Sequence, residues 1–260
     1  MKRIDLVQVE HNKKIGMICE YIEPNVKEDS LFYSDGKVIG FYIRDISKYS
    51  KKLSDLVAIA NKELLSDAVP KQFMARSSGL RDKTKEVKQF STILGAIAPK
   101  PHMRRDYASI SSVHYHKTAR TFVKAMLLAS EESANLIEQI APSIYEEQLK
   151  NMSGVKDKWK FGKLFTSSIS NYNISAGFHI DNANIKGCVN VIICKRKDSK
   201  GGCTTVPDYD ATVDSCDNSM LVYPAWRNIH AVTPIIPLAD GGYRNTLVFY
   251  PLKAFLNEDV

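Results

Sequence analysis

The chain has 260 residues, 44% of them hydrophobic and 25% charged, with a net charge of +7. That is enough to bury a sizeable core, and the composition is that of a soluble globular protein, which excludes a fibrous or disordered chain. No apolar run reaches the roughly 20 residues of a membrane span. The opening MKRIDLVQVEHNKK has no apolar h-region, so neither a membrane protein nor a secretory leader is expected. Cys19, Cys188, Cys194, Cys203 and Cys216 form no CxxC pair. An odd count without such spacing points to reduced thiols in an intracellular, cytoplasmic protein rather than to a disulfide framework.

In chain order, Ser34-Asp35-Gly36 is a turn signal, and the alternating Gly36–Arg44 after it predicts a strand. Leu53, Leu56, Val57, Ala60, Leu64 and Leu65 share one helical face, which predicts a helix from about Ser50 to Asp67, closed by Pro70. Residues 76–106 carry basic side chains and prolines and read as mostly loop. Tyr107–His116 has a strand pattern. Helices are expected over about 118–129 and 131–150, with Ser130 capping the second and Pro142 dividing or kinking it.

After Gly154 short strand-like runs follow one another: Leu164–Tyr172, Ala176–His179, Cys188–Cys194, Cys203–Val206, Met220–Tyr223, Ile229–Pro234 and Arg244–Pro251. Such spacing predicts a β-sandwich or barrel. The expectation is one α+β domain over 1–260. A mixed N-terminal part, about 1–155, would buttress a catalytic β-core of about 156–260.

The charge is unevenly placed. Lys71 to Lys124 holds twelve Lys/Arg against Asp82, Glu86 and Asp106, or +9, while the remainder comes to −2. One basic block on a near-neutral chain suits a polyanion; a solvated lysine-rich loop accounts for it equally well.

The chemistry concentrates in Phe178-His179-Ile180-Asp181 and, much later, Asn228-Ile229-His230-Ala231-Val232-Thr233-Pro234. On a strand, positions i and i+2 face one side, so His179 and Asp181 can reach one point, and a later antiparallel strand can bring His230 there. Two imidazoles and a carboxylate form the facial triad of non-haem iron oxygenases. HxD alone is equally compatible with a hydrogen-bonded pair at a strand end. Arg244 and Thr246 lie two apart in Tyr243–Tyr250 among apolar neighbours. A guanidinium buried there needs an anion, either a ligand carboxylate or a structural aspartate. His114 and His116, with His102, form a rival set of possible ligands. Cys188 and Cys194 read as small buried hydrophobes.

His179-Ile-Asp181…His230…Arg244-Asn-Thr246 resembles the oxygenases that use Fe(II), 2-oxoglutarate and O2, over roughly residues 160–252. The resemblance implies a double-stranded β-helix, a jelly-roll or cupin-like core with N-terminal helices packed on it. It also implies iron on His179, Asp181 and His230, and the far carboxylate of 2-oxoglutarate on Arg244 and Thr246. The run His179-Ile-Asp181-Asn-Ala-Asn184, then Gly187 and Val189 through Arg196, is similar to the TET/JBP enzymes, which oxidise the 5-methyl group of 5-methylcytosine or thymine in nucleic acid. Pro99–Tyr107 resembles a stretch of phage-encoded members, which would place the protein in a phage-infected bacterium. The Cys-rich, zinc-bound region of the animal enzymes is missing.

The implied partner is nucleic acid, DNA in the first instance, with no membrane and no oligomeric state specified. Asn184 would approach the base edge, a role that competes with that of a turn asparagine. Arg104 and Arg105 would hold phosphates. Phe178, Tyr223 and Trp226 are either stacking residues or core filler. The alternatives are the same oxygenase chemistry on a protein side chain or free metabolite, and a barrel-shaped binding module without catalysis.

Overall fold

The computed structural model describes residues 1–73, 88–100 and 105–256. Its strands in chain order are β1 (Lys2–Asp5), β2 (Ser30–Ser34), β3 (Lys37–Ile43), β4 (Gln72–Phe73), β5 (Phe90–Ile97), β6 (Ser109–Ile110), β7 (Ser167–Tyr172) and β8 (Ala176–His179). They continue with β9 (Asn190–Lys197), β10 (Ser199–Gly201), β11 (Thr204–Val206), β12 (Ala211–Val213), β13 (Met220–Tyr223), β14 (His230–Val232), β15 (Ile235–Pro237) and β16 (Tyr243–Tyr250). Three helices, α1 (Lys51–Leu65), α2 (Arg120–Ile140) and α3 (Pro142–Asn151), complete the frame.

A large sheet runs β1-β2-β3-β13-β9-β16-β7-β5-β4, with β6 paired to β5, and a four-stranded sheet runs β12-β11-β14-β8. A cavity lined by residues of both sheets lies between them. This is the α+β double-stranded β-helix expected from the sequence.

Strand alternation decides what each sheet face does. On β16, Leu247 and Phe249 point to the helix side, where they share a buried core with Leu53 and Val57 of α1 and Phe122 and Met126 of α2. Arg244, Thr246, Val248 and Tyr250 line the cavity on the other side. One eight-residue strand therefore builds the core with one face and the site with the other.

Local chemistry accounts for the elements. Asp35 and Gly36 both take positive φ, 52° and 75°, as a two-residue hairpin loop requires, and join β2 to β3. Ser50 caps α1, its side chain accepting from Leu53 N at 3.1 Å. Pro142 stands at the first position of α3, after Ala141 has left helical geometry, so the helical region divides at the expected place.

Several expectations are corrected. The break at Ser130 does not exist: α2 runs through it, and the Ser130 hydroxyl donates back to Leu127 O at 2.7 Å. The buried stripe Phe122, Met126, Ala129, Ser133 and Ile137 continues across that position and carries the helix with it. Within 76–106, much of which lies outside the described residues, 90–97 are not loop but a strand of the large sheet, paired with β7 and near the sheet edge. The basic side chains flank this run, and Phe90 to Ile97 itself is uncharged.

Tyr107–His116 is strand only at Ser109–Ile110. A single 3₁₀ turn follows at Ser112–Tyr115, where Ser111 caps Val113 N and donates to Ile93 O at 2.6 Å. The β-core is also not confined to the C-terminal part, since β1 to β5 extend the same large sheet as β9, β13 and β16. Among the described residues no helix is long and apolar enough to cross a membrane.

Phe249 is fully buried against Phe161 and Phe165, with ring centroids 6.2 and 5.6 Å away. Phe249→Ala is expected to cost about 3–5 kcal/mol of unfolding free energy, measured by denaturant titration. A loss below about 1 kcal/mol would contradict the core described here.

Candidate active site

β14 pairs antiparallel with β8 so that His230 stands directly opposite His179. β8 ends at His179, and Asp181 follows in a turn whose backbone N–H donates to Ala225 O at 3.1 Å. Asp181 is thus positioned by a loop contact, not by the continuing strand that the HxD pattern predicts. The side chains nevertheless converge: Asp181 Oδ1 lies 3.6 Å from His179 Nε2 and 4.0 Å from His230 Nε2. The imidazole centroids are 4.3 Å apart.

Each imidazole is fixed from behind. His179 Nδ1 lies 2.8 Å from Gly177 O, and His230 Nδ1 lies 3.1 Å from Asn228 O. A carbonyl can only accept, so both Nδ1 atoms carry the proton and both Nε2 lone pairs face the shared point. Burial and the neighbouring His179 lower the His230 pKa to about 4, against the opposing pull of Asp181. His230 is therefore neutral near pH 7, the form that ligates metals. The Asn228 side chain donates to Asp208, which also meets His11 Nε2, tying the segment behind His230 to the N-terminal part.

The donor set fits a transition-metal ion. Cis ligands about 2.1 Å from one ion stand roughly 3 Å apart. The three ligand atoms here lie within 4.8 Å of one another, a spacing that closes around an ion with small side-chain rotations. Among the described residues this is the one group of His, Cys, Asp and Glu side chains so arranged. His114 is engaged elsewhere: its Nε2 accepts from Gly95 N at 2.9 Å, and burial lowers its pKa. His102 lies outside the described residues, and His116 joins no cluster with His114.

The cavity beside the cluster measures about 560 Å³ and is lined by His179, Asp181, Asn184, Asn190, Tyr223, His230, Arg244, Thr246 and Tyr250, among others. Arg244 is 2% exposed. Its Nη2 donates to Ser215 Oγ at 3.2 Å, and its Nε is buried without a partner. No carboxylate is within ion-pair reach of it among the described residues, so it is not the structural Arg–Asp pair that the sequence left open. Burial lowers its pKa, and Arg196, directly opposite on β9, adds like charge. A guanidinium in this state is short of an anion. Thr246, two positions along β16, opens on the same cavity.

Gly202 makes room for this arginine. Its φ is +65°, and a Cβ there would come within 2.9 Å of Arg244 Cδ.

Asn184 lines the cavity, and its Nδ2 donates to Asn190 Oδ1 at 2.8 Å and reaches Asp181 Oδ2 at 3.5 Å. Arg105 turns inward, its guanidinium donating to Ala98 O with Nε buried and unpartnered. Arg104 lies outside the described residues, as does much of the basic block (74–87 and 101–104).

Phe178 packs against Cys19 and Ala231 as core, and Trp226 Nε1 donates to Cys188 O at 2.8 Å. Tyr223 meets His230 edge-on at 5.4 Å. Cys188 and Cys194 are both 1% exposed, and burial pushes the Cys188 thiol up to about 12, as befits small core residues.

Sequence reasoning missed Asn190, whose Nδ2 donates to Asp181 Oδ2 at 3.0 Å. A lone amide in the apolar run Cys188–Cys194 was the available signal, because a buried amide must find partners. Gly202 and Ser215 were also missed, and no local pattern marks them.

No family model matches the chain, and no curated protein matches it. Among solved structures it is similar to NgTET1 in complex with 5mC DNA, at TM-score 0.59 and 12% identity, over 95% of this chain and 85% of that one. A 2OG-Fe(II) oxygenase family oxidoreductase from Burkholderia pseudomallei aligns at TM-score 0.47 and 10% identity, over 85% and 88%. The likeness to NgTET1 shows a shared fold.

Two outcomes are expected here. His179→Ala and Asp181→Ala should abolish stoichiometric Co(II) binding followed by absorption spectroscopy, and undiminished binding would contradict the assignment of ligands. Gly202→Ala should displace Arg244 and weaken binding of a dicarboxylate to the metal-loaded protein at least tenfold, about 1.4 kcal/mol. Calorimetry reads this directly, and an unchanged affinity would show that the close approach to Arg244 is of no consequence.

Proposed function

We propose that this protein is an Fe(II)- and 2-oxoglutarate-dependent oxygenase that hydroxylates the 5-methyl group of a pyrimidine base in nucleic acid. One observation carries the chemistry. A two-His, one-carboxylate cluster and a buried arginine without an anion among the described residues line the same cavity. Three protein ligands on one face of an iron leave positions for a bidentate 2-oxo acid and for O2. Bound iron and 2-oxoglutarate would supply oxidative decarboxylation to succinate and CO2, coupled to insertion of one oxygen atom into a substrate C–H bond.

The chain's own residues do the rest. His179 and His230 present their Nε2 atoms, and Asp181 supplies the carboxylate ligand. Arg244 offers its guanidinium to the far carboxylate of the co-substrate, with the Thr246 hydroxyl beside it. That contact fixes which end of the dicarboxylate faces the metal.

For the substrate, the fold shared with NgTET1, a protein solved with 5mC DNA, supports a methylated base, as do the TET/JBP-like run around Asn184 and the basic stretch Lys71–Lys124. A base reaches such a cavity only when unstacked from its strand. The Asn184 N–H groups face Asp181 and Asn190, which leaves its carbonyl oxygen for a ligand. An acceptor suits the exocyclic amino group of cytosine and is mismatched to O4 of thymine. This favours 5-methylcytosine. Arg104, with other residues of the basic stretch, would hold phosphates.

The test is aerobic turnover with Fe(II), ascorbate, 2-oxoglutarate and methylated single- and double-stranded oligonucleotides, with nucleosides read by mass spectrometry. A gain of one oxygen on 5-methylcytosine, faster than on thymine and absent in His179→Ala, is expected. Succinate without any oxidised nucleoside would transfer the same chemistry to a protein side chain or free metabolite. No succinate under any condition would overturn the oxygenase itself.

Arg244→Ala should raise the KM for 2-oxoglutarate by roughly 30-fold or more, about 2 kcal/mol, with less effect on nucleic-acid affinity. Arg104→Ala should weaken oligonucleotide binding and flatten its salt dependence, leaving base preference unchanged.

A further inference from the structure

The two oxygens of Asp181 have different surroundings. Oδ1 faces His179 Nε2 and His230 Nε2. Oδ2 turns away from them and receives Asn190 Nδ2 at 3.0 Å, with Asn184 Nδ2 at 3.5 Å. Asn184 Nδ2 also donates to Asn190 Oδ1 at 2.8 Å. Both amides are buried, Asn190 to 3% and Asn184 to 5% exposure.

This closed set fixes its own orientation. Reversing the Asn190 amide would set its oxygen against the Asp181 carboxylate and its NH2 against the Asn184 NH2, which is two repulsive contacts in place of two bonds. The backbone holds each member as well. Asn190 opens β9 opposite Tyr223 of β13, and Asn184 N donates to Asp181 O at 3.0 Å while bridging Leu252.

We propose that Asn190, seconded by Asn184, is a positioning residue that holds Asp181 to a metal through Oδ1 alone. The inference rests on the metal-centre reading given above and adds a role to residues outside the ligand set. A carboxylate free to rotate can chelate an ion through both oxygens and so occupy a coordination position that the co-substrate or O2 requires. Two amide donors on Oδ2 block that rotation. They also give Oδ2 hydrogen-bond partners in a half-buried place, where an unpaired oxygen would lose hydration without compensation.

The experiment is Co(II) titration of wild type, Asn190→Leu, Asn184→Ala and the double variant, followed by visible absorption before and after addition of 2-oxoglutarate. Thermal melting of the metal-free proteins is measured in parallel. Asn190→Leu is nearly isosteric and removes the stronger donor, so its Co(II) affinity should fall about 10–100-fold, with a changed d–d spectrum. Asn184→Ala should lose less. The double variant should lose clearly less than the product of the two single losses, because both donors act on one oxygen.

A role confined to folding would lower the melting temperature and leave the affinity and spectrum of the folded protein unchanged. If Asn190→Leu does not fold, Asn184→Ala still carries the test through its spectrum. Variants that bind Co(II) within twofold of wild type, with superimposable spectra, would overturn the proposal and leave the metal centre standing. A wild-type protein that takes up no Co(II) would overturn both.

Discussion

The antiparallel pairing of β14 with β8 is the constraint on which the site depends, because it sets His230 directly opposite His179. Two imidazoles on facing strand positions converge without any long-range adjustment, and their Nδ1 contacts to Gly177 O and Asn228 O aim both Nε2 atoms at one point. Asp181 then needs only a short turn, pinned by Ala225 O, to complete the set. A slip of one residue in this register would send His230 to the opposite face of the sheet, into the core beside Phe178.

The cavity has charge requirements at both ends. Near the strand ends Asp181 brings a carboxylate to two imidazole Nε2 atoms, a donor set that attracts a cation. Further along β16, Arg244 is a buried positive charge with a hydroxyl for company and, among the described residues, no carboxylate. The Arg244 end is uncompensated in the protein alone, since a buried charge without its counter-ion is costly. A metal ion chelated by a dicarboxylate satisfies both at once, which is the physical case for reading the two ends as one site. The large sheet makes this arrangement rigid, because the strand that carries Arg244 and Thr246 on one face buries Leu247 and Phe249 under α1 and α2 on the other.

Much of this was legible in the sequence where function rests on local spacing. HxD, a distant His-Ala-Val-Thr-Pro and an arginine two residues before a threonine in an apolar run are short-range patterns, and the residues they mark line one cavity. The elements that were misread depend on tertiary context. The strand Phe90–Ile97 is hidden between basic segments whose charge dominates any window that spans them. Ser130 has the chemistry of a cap, but it lies on the buried stripe of α2, where packing overrides it. The edge strand Lys2–Asp5 is mostly exposed and gives no alternation to read. Asn190 and Gly202 matter only through Asp181 and Arg244, far from them along the chain or across a turn, and single-sequence patterns do not encode such pairings.

The central claim is that one cavity holds a metal on His179, Asp181 and His230 and a dicarboxylate on Arg244. The most direct measurement is an anaerobic crystal structure of the protein with Mn(II) and 2-oxoglutarate. The expected result is the metal on those three side chains and the far carboxylate of 2-oxoglutarate against the Arg244 guanidinium and Thr246. A metal bound elsewhere, or an Arg244 that pairs with a carboxylate of the protein while 2-oxoglutarate lies outside the cavity, would contradict it.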